Sequence, residues 1–289
     1  MDKPAAQTAV GPMVVCAIDQ FERHPLIEDK LAARMLPGAL RPIVTLSRWS
    51  GLRRFIRNKA ENHTPGIWSN MLCRKRYIDD KVLEAVAGGI SRLVILGAGL
   101  DTRAYRLPEL ATAKVFEVDQ PINIDRKRAR LLKVFNGIPA HVSLVPIDFR
   151  TQHLGEVLAS AGYEPDQPTV FVWEGVTQYL TEEAIDATGK FLAGAAPGSR
   201  LVFTYVQENF LTGQTLYGAQ AAYLDFVVRR GLWQFGLAPA AVEEFLGRYG
   251  WQEIEQAGSA EYTDRYLRPN NRLLATTELE RSVYAGKMS

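Results

Sequence analysis

Two cysteines and four histidines are all that this 289-residue chain has of the side chains that most often bind transition metals or carry redox chemistry. Cys16 and Cys73 are too far apart for a CxxC clasp and too few for a disulfide framework, so both read as structural thiols in a reducing compartment. No metal site is expected. No apolar run is long enough to span a bilayer, and the opening MDKPAAQTAVGPMVV lacks the long apolar centre of a secretory signal. A cytoplasmic protein without membrane contact is expected. An excess of one charge is missing too: 34 Lys and Arg face 32 Asp and Glu, a net charge of +2, and the basic residues are scattered. Nucleic acid is therefore not indicated as a partner. Hydrophobic and charged fractions of 47% and 23% are those of an ordinary globular chain, long enough for one domain over residues 1–289.

What the chain does contain is RLVILGAGLDTRAYRLPELATAKVFEVD, residues 92–119. One apolar run stops at Gly97, Ala98 and Gly99, and a second ends in Glu117 and Asp119. A strand that stops in a glycine turn lets backbone N–H groups approach a ligand, and a carboxylate about 20 residues on can bind ribose hydroxyls. The third glycine of the dinucleotide fingerprint is replaced by Thr102, and Asp101 stands inside the turn. A carboxylate there repels a pyrophosphate at a helix N-terminus and attracts a cation. S-adenosylmethionine has free ribose hydroxyls, a sulfonium, an amino-acid end and no phosphate, so the pattern favours it over NAD. Asp101 also suits a helix N-cap, and the two roles are compatible.

From residue 92 onward strands and helices alternate. Periodicity predicts strands at 93–96, 114–118, 141–146, 169–173 and 200–206, with helices at 121–135, 152–162 and 181–195, which implies a mainly parallel, doubly wound α/β sheet. Ahead of it lies a helical cap, residues 12–88, with short helices within 18–35 broken by Pro25, a helix pair over 41–60, and a helix over 69–87. Trp49, Leu52, Phe55 and Ile56 are spaced to share a face of the pair. A second cap piece, 207–248, reads as helical and carries Tyr217, Tyr223, Phe226, Trp233 and Phe235. Two short strands at 252–256 and 272–277 close the chain.

Ligands of open parallel sheets lie beyond the carboxyl ends of the strands. The second strand offers Asp119, with Glu117 behind it, for ribose hydroxyls; the plainer role for Asp119 is a pair with Arg126 or Lys127. Asp148 and Phe149 follow the third strand and suit an adenine amino group and ring, or else Asp148 caps the next helix. Glu174 and Gly175 follow the fourth, placing a carboxylate where the ammonium or sulfonium would lie. The donor's own carboxylate needs a cation, for which Arg74 and Arg103 are the candidates. Periodicity does not choose between them.

GAGLDTRAYRL, FEVDQP, WEGVTQYLT and RYLRPNNRLLATTELERSVYA together resemble the leucine carboxyl methyltransferase family of class I S-adenosylmethionine enzymes, and in particular its bacterial branch of tetracenomycin-type polyketide O-methyltransferases. The resemblance runs over about residues 18–285. It implies a Rossmann-like seven-stranded sheet with an antiparallel C-terminal hairpin, and it places Gly97, Asp119, Asp148 and Glu174 around the donor. It also ranks Arg74 above Arg103 as the carboxylate ligand, although Lys75 stands where the family has threonine.

Methyl transfer to a hydroxyl usually profits from a general base, whereas a carboxylate is already ionised at neutral pH. None of His24, His63, His141 and His153 stands at a strand end predicted to face the methyl, so Tyr179 and His63 are left as minor catalytic candidates. The expectation is a carboxyl O-methyltransferase, acting as monomer or homodimer on a small polyketide-like or aromatic acid. The aromatics of 207–248, with Trp49 and Trp68, are either its pocket or helix core. A hydroxyl O-methyltransferase of a natural product is the alternative, and from another class a donor-binding protein without turnover.

Overall fold

In the computed structural model, which describes residues 10–149 and 151–288, near-continuous apolar runs become the central strands of one sheet. These are β1 Arg92–Leu96, β2 Lys114–Asp119, β3 Val142–Pro146, β4 Val170–Trp173 and β5 Arg200–Val206, followed by β6 Trp251–Ala257 and β7 Glu280–Lys287. Their order is β3-β2-β1-β4-β5-β7-β6. The first five are parallel, and β7 runs antiparallel to both β5 and β6.

Strand side chains alternate between faces, and that period of two divides the core into two layers. Leu93 and Ile95 join Val115, Val170 and Val202 on one face, while Val94 and Leu96 join Phe116, Phe171 and Phe203 on the other. Buried on both sides, these strands need the long β-branched runs seen in the sequence.

The first face is covered by the N-terminal helices α1 Val10–Asp19, α2 Ala32–Met35, α3 Arg41–Leu46, α4 Ser50–His63 and α5 Ile67–Ala87. Of these, α5 is a true layer helix, with Leu72, Tyr77, Ile78 and Val82 fully buried against the sheet. Cys16 and Cys73 are buried in the same layer, and burial pushes both thiols up to about 12. The crossover segments carry α6 Arg103–Arg106, α7 Pro121–Phe135, α8 Leu154–Ser160 and α9 Glu182–Ala193. Pro121 opens α7 and left-handed Asn136 closes it, the expected start and stop residues for a helix.

Four expectations need correction. The first short helix lies upstream of the predicted span, at Val10–Asp19. On the pair α3 and α4 the supposed shared face is not buried: Trp49 and Phe55 are each 66% exposed, and α4 has no fully buried residue. The stretch 207–248 is largely an irregular strap, with α10 Glu208–Leu211, α11 Gln220–Ala222, a π-helical turn at Tyr223–Arg229 and α12 Val242–Gly247. Glycines and Pro239 interrupt it too often for one long helix. The last strand is β7 at Glu280–Lys287, not 272–277. A slot between β5 and β6 needs residues tolerated on both faces, and Ser282, Val283, Tyr284 and Ala285 are all buried there, whereas Leu273 is wholly exposed. The segment 272–277 instead follows α13 Ser259–Tyr262 and its π-helical extension Thr263–Leu267 as an arm against α5, where Ser69 Oγ donates to the Ala275 carbonyl.

Candidate active site

Chain order reverses between β1 and β4, which are neighbours in the sheet, and a crevice beyond their carboxyl ends is where such folds hold ligands. The turn after β1 is tight. Gly97 has φ +70°, and a Cβ there would stand 2.4 Å from Val176 Cγ2, so only glycine fits. Gly97 and Ala98 both donate their N–H to the Val118 carbonyl, at 2.9 and 3.0 Å. Asp119 fastens the same turn from the end of β2: its carboxylate accepts from Gly99 N at 2.6 Å, Gln120 N at 2.7 Å and Asn123 Nδ2 at 2.8 Å. An ionised carboxylate has about four lone-pair sites, so one acceptor position remains.

Beside this turn lies a buried charge cluster. Glu174, just after β4, receives Arg74 Nε at 3.0 Å, Arg103 Nη2 at 3.0 Å and Lys75 Nζ at 3.4 Å. Arg74 also donates from Nη1 to both oxygens of Glu280, at 2.9 and 2.8 Å. Arg103, with no exposed side-chain surface, holds Asp79 at 3.1 Å and pairs closely with Asp101. Asp101 in turn accepts the Arg103 backbone N–H at 2.8 Å, but the N-cap position of α6 falls on Thr102, not on Asp101 as expected. Arg106 reaches Asp79 at 2.6 Å and Asp29 at 3.8 Å, and Thr102 Oγ1 donates to Asp29 at 2.6 Å.

Burial opposes ionisation of Glu174, but Lys75, Arg74 and Arg103 overcome it and hold the carboxyl well below the usual range. Burial likewise opposes charge on Asp101, and Arg103 outweighs it to lower that carboxyl too. Asp29, Asp79, Asp101, Glu174 and Glu280 supply one charge more than Arg74, Lys75, Arg103 and Arg106 can cancel. The cluster therefore carries a surplus negative charge in a low-dielectric setting.

The structure brings Arg74, Asp101, Arg103 and Glu174 together, with Gly97, Ala98, Gly99 and Asp119 in the adjoining turn. Gly175 has φ +65°, a left-handed conformation that favours glycine, and the Arg74 guanidinium lies at ordinary contact distance, 3.5 Å, from where a Cβ would stand. Glu117 lies apart from them. It is fully buried beneath the turn with Lys127 at 2.8 Å and Tyr105 OH at 2.7 Å, and burial pushes its carboxyl up. Of the two partners in the plainer alternative for Asp119, Lys127 turns instead to Glu117. Asp148 and Phe149 follow β3, and Phe149 is 45% exposed. The N-cap position of α8 falls on His153, not on Asp148. Tyr179 meets Trp233 edge-on at 6.4 Å, and exposed His63 meets Phe226 at 6.3 Å, both at the strap. Trp68 is core.

Sequence reasoning missed Asp29, Asp79 and Glu280. Asp79 follows Arg74 by five residues on α5, about 140° round the helix, and its partners Arg103 and Arg106 come from another segment, so no local pattern marks it. Glu280 is 206 residues from Arg74, with no local signal. Among the described residues no group of three or more His, Cys, Asp and Glu could hold a metal, and no helix is long and apolar enough to cross a membrane.

The fold has close counterparts. A crystal structure of a protein from Thermobifida fusca YX, described as a methyltransferase, superposes with TM-score 0.62 over 99% of this chain and 98% of that one at 19% identity. A family protein from Streptomyces avermitilis superposes with TM-score 0.55 over 94% and 96% at 14% identity. At the sequence level, the leucine carboxyl methyltransferase model matches residues 9–193, and the chain belongs to that family. A relative from Mycobacterium tuberculosis, named as an S-adenosyl-L-methionine-dependent methyltransferase, is 31% identical over 86% of this chain and 82% of its own length.

Proposed function

We propose that this protein is an S-adenosylmethionine-dependent O-methyltransferase that forms a methyl ester on a small-molecule acid. The observation that carries the reading is the surplus carboxylate beside the glycine turn. Sulfonium, ammonium and carboxylate give the donor a net charge of +1, the complement of the cluster's excess. In this reading the remaining acceptor position of Asp119 takes one ribose hydroxyl, Glu174 and Asp101 face the ammonium, and Arg74 with Lys75 faces the donor's carboxylate. When bound, the donor supplies a methyl carbon on positive sulfur, which leaves as a neutral thioether while an acceptor oxygen forms the new bond.

The chain's own part is then alignment and exclusion of water. A carboxylate acceptor needs no proton removed. The histidines agree with that, because His24, His63 and His153 are exposed and His141 Nε2 is engaged with the Ala104 carbonyl at 2.9 Å. The test is incubation with methyl-labelled donor and a panel of acids and phenols. Label released from product by mild base identifies an ester; label that survives identifies an ether and overturns the carboxylate assignment.

A further inference from the structure

The pair α3 and α4 turns outward what most surface helices turn inward. Ile43, Leu46, Trp49 and Phe55 are exposed by 47%, 45%, 66% and 66%, all within residues 43–55. A single exposed apolar side chain is ordinary, but a run of large ones marks an interaction surface. The run continues onto the strap. His63 at the end of α4 meets Phe226, whose π-helical turn exposes Leu224 and Val228.

The same stretch is strongly basic. Segment 41–60 holds six Arg and Lys and no Asp or Glu, so it is net +6 in a chain whose total is +2, and the rest of the protein is net negative. Of the six, only Arg53 has an ion-pair partner among the described residues, Glu22 at 2.8 Å. Arg54 adjoins Phe55, and Lys59 lies one turn further along the same exposed side of α4. Burial, and then the charges of Arg126 and Arg41, lower the Arg130 guanidinium, so the positive field reaches from α3 onto α7.

Charge and shape together select the occupant. A second copy in a two-fold interface, which is self-complementary, would set unneutralised arginines against themselves. A nucleic acid would use the arginines and stack on Trp49 or Phe55, yet it would leave Ile43, Leu46, Leu224 and Val228 without a role. An anionic bilayer uses both sets, since its headgroups attract Arg and Lys while its acyl boundary accepts Trp, Phe and Leu.

We infer that the α3–α4 face docks peripherally on an anionic lipid surface, with Trp49 and Phe55 seated at the headgroup boundary and Arg54 and Lys59 against lipid charge. The lack of a membrane-spanning run bears on crossing a bilayer, not on a surface contact of this kind. The inference goes beyond the methyl-transfer reading and does not depend on it.

The test is cosedimentation of the full chain with vesicles of phosphatidylserine mixed into phosphatidylcholine, against vesicles of phosphatidylcholine alone. The anionic vesicles should bind about tenfold more tightly, and added salt should erode the difference. Arg54→Gln with Lys59→Gln, and separately Trp49→Ala with Phe55→Ala, should each weaken that binding by about tenfold. All four side chains lie outside the core clusters, so both variants should melt with the wild type. Brominated lipid should quench tryptophan fluorescence, and Trp49→Phe should remove most of the quenching. Equal binding to the two vesicles, no binding to either, or quenching that survives Trp49→Phe overturns the inference. So does a dimer that Trp49→Ala with Phe55→Ala dissociates, or duplex DNA that binds more tightly than the vesicles and is weakened by the same charge substitutions.

Discussion

At the scale of single residues, Glu174 sets the character of the site. Three cations converge on it, and a neutral amide in its place leaves Arg74, Lys75 and Arg103 without their shared counter-charge. Removing one partner of a buried ion pair typically costs about 3–5 kcal/mol, and Glu174→Gln should lower stability by that order in urea unfolding at pH 7. The pH dependence follows from its depressed carboxyl. The folded pKa lies below the unfolded one, so its contribution is present above the ordinary Glu value of about 4.3 and is lost as pH falls toward the folded value. The gap between wild type and variant should therefore narrow below about pH 4. An unchanged gap would detach Glu174 from the acid transition. Arg74 and Glu174 were both legible in the sequence as site residues. Their direct pairing was not, because each was assigned to a different end of the donor, and only the packing of α5 against the end of β4 makes them touch.

At the scale of elements, what could be read depended on local repetition. The five parallel strands were legible within one or two residues, since each is a short apolar run bounded by turn residues and buried on both faces. The strap and β7 were not, because their conformations are dictated by what they pack against. RLLATT has as much strand character as ERSVYAGK, and the difference is that the latter fills the slot between β5 and β6. The glycine turn belongs to this scale as well. Gly97→Ala places a methyl group against Val176 at a backbone angle unfavourable for any other residue, a strain on the order of 1–3 kcal/mol. Chemical denaturation should register that loss, together with weaker binding of S-adenosylhomocysteine by calorimetry. A neutral effect on both would mean that the turn is less constrained than its geometry implies.

At the scale of the whole molecule, the charge cluster draws Asp29 from the loop between α1 and α2, Arg74, Lys75 and Asp79 from α5, Asp101 from the turn after β1, Arg103 and Arg106 from α6, Glu174 from just after β4, and Glu280 from the start of β7. A ligand that binds only the folded chain stabilises it by about 2.7 kcal/mol at a hundredfold excess over Kd. S-adenosylmethionine at that excess should raise the melting temperature, and Asp119→Asn should reduce the rise by weakening the ribose contact without unfolding the turn. A full rise in the variant would remove Asp119 from the donor site.

Because segments remote in sequence meet at one electrostatic knot, tightening it should be felt at each of its strings. Amide hydrogen exchange around residues 29 and 280 should slow on donor addition as surely as around residue 99, so that occupancy of a small crevice is reported from near both extremities of the polypeptide.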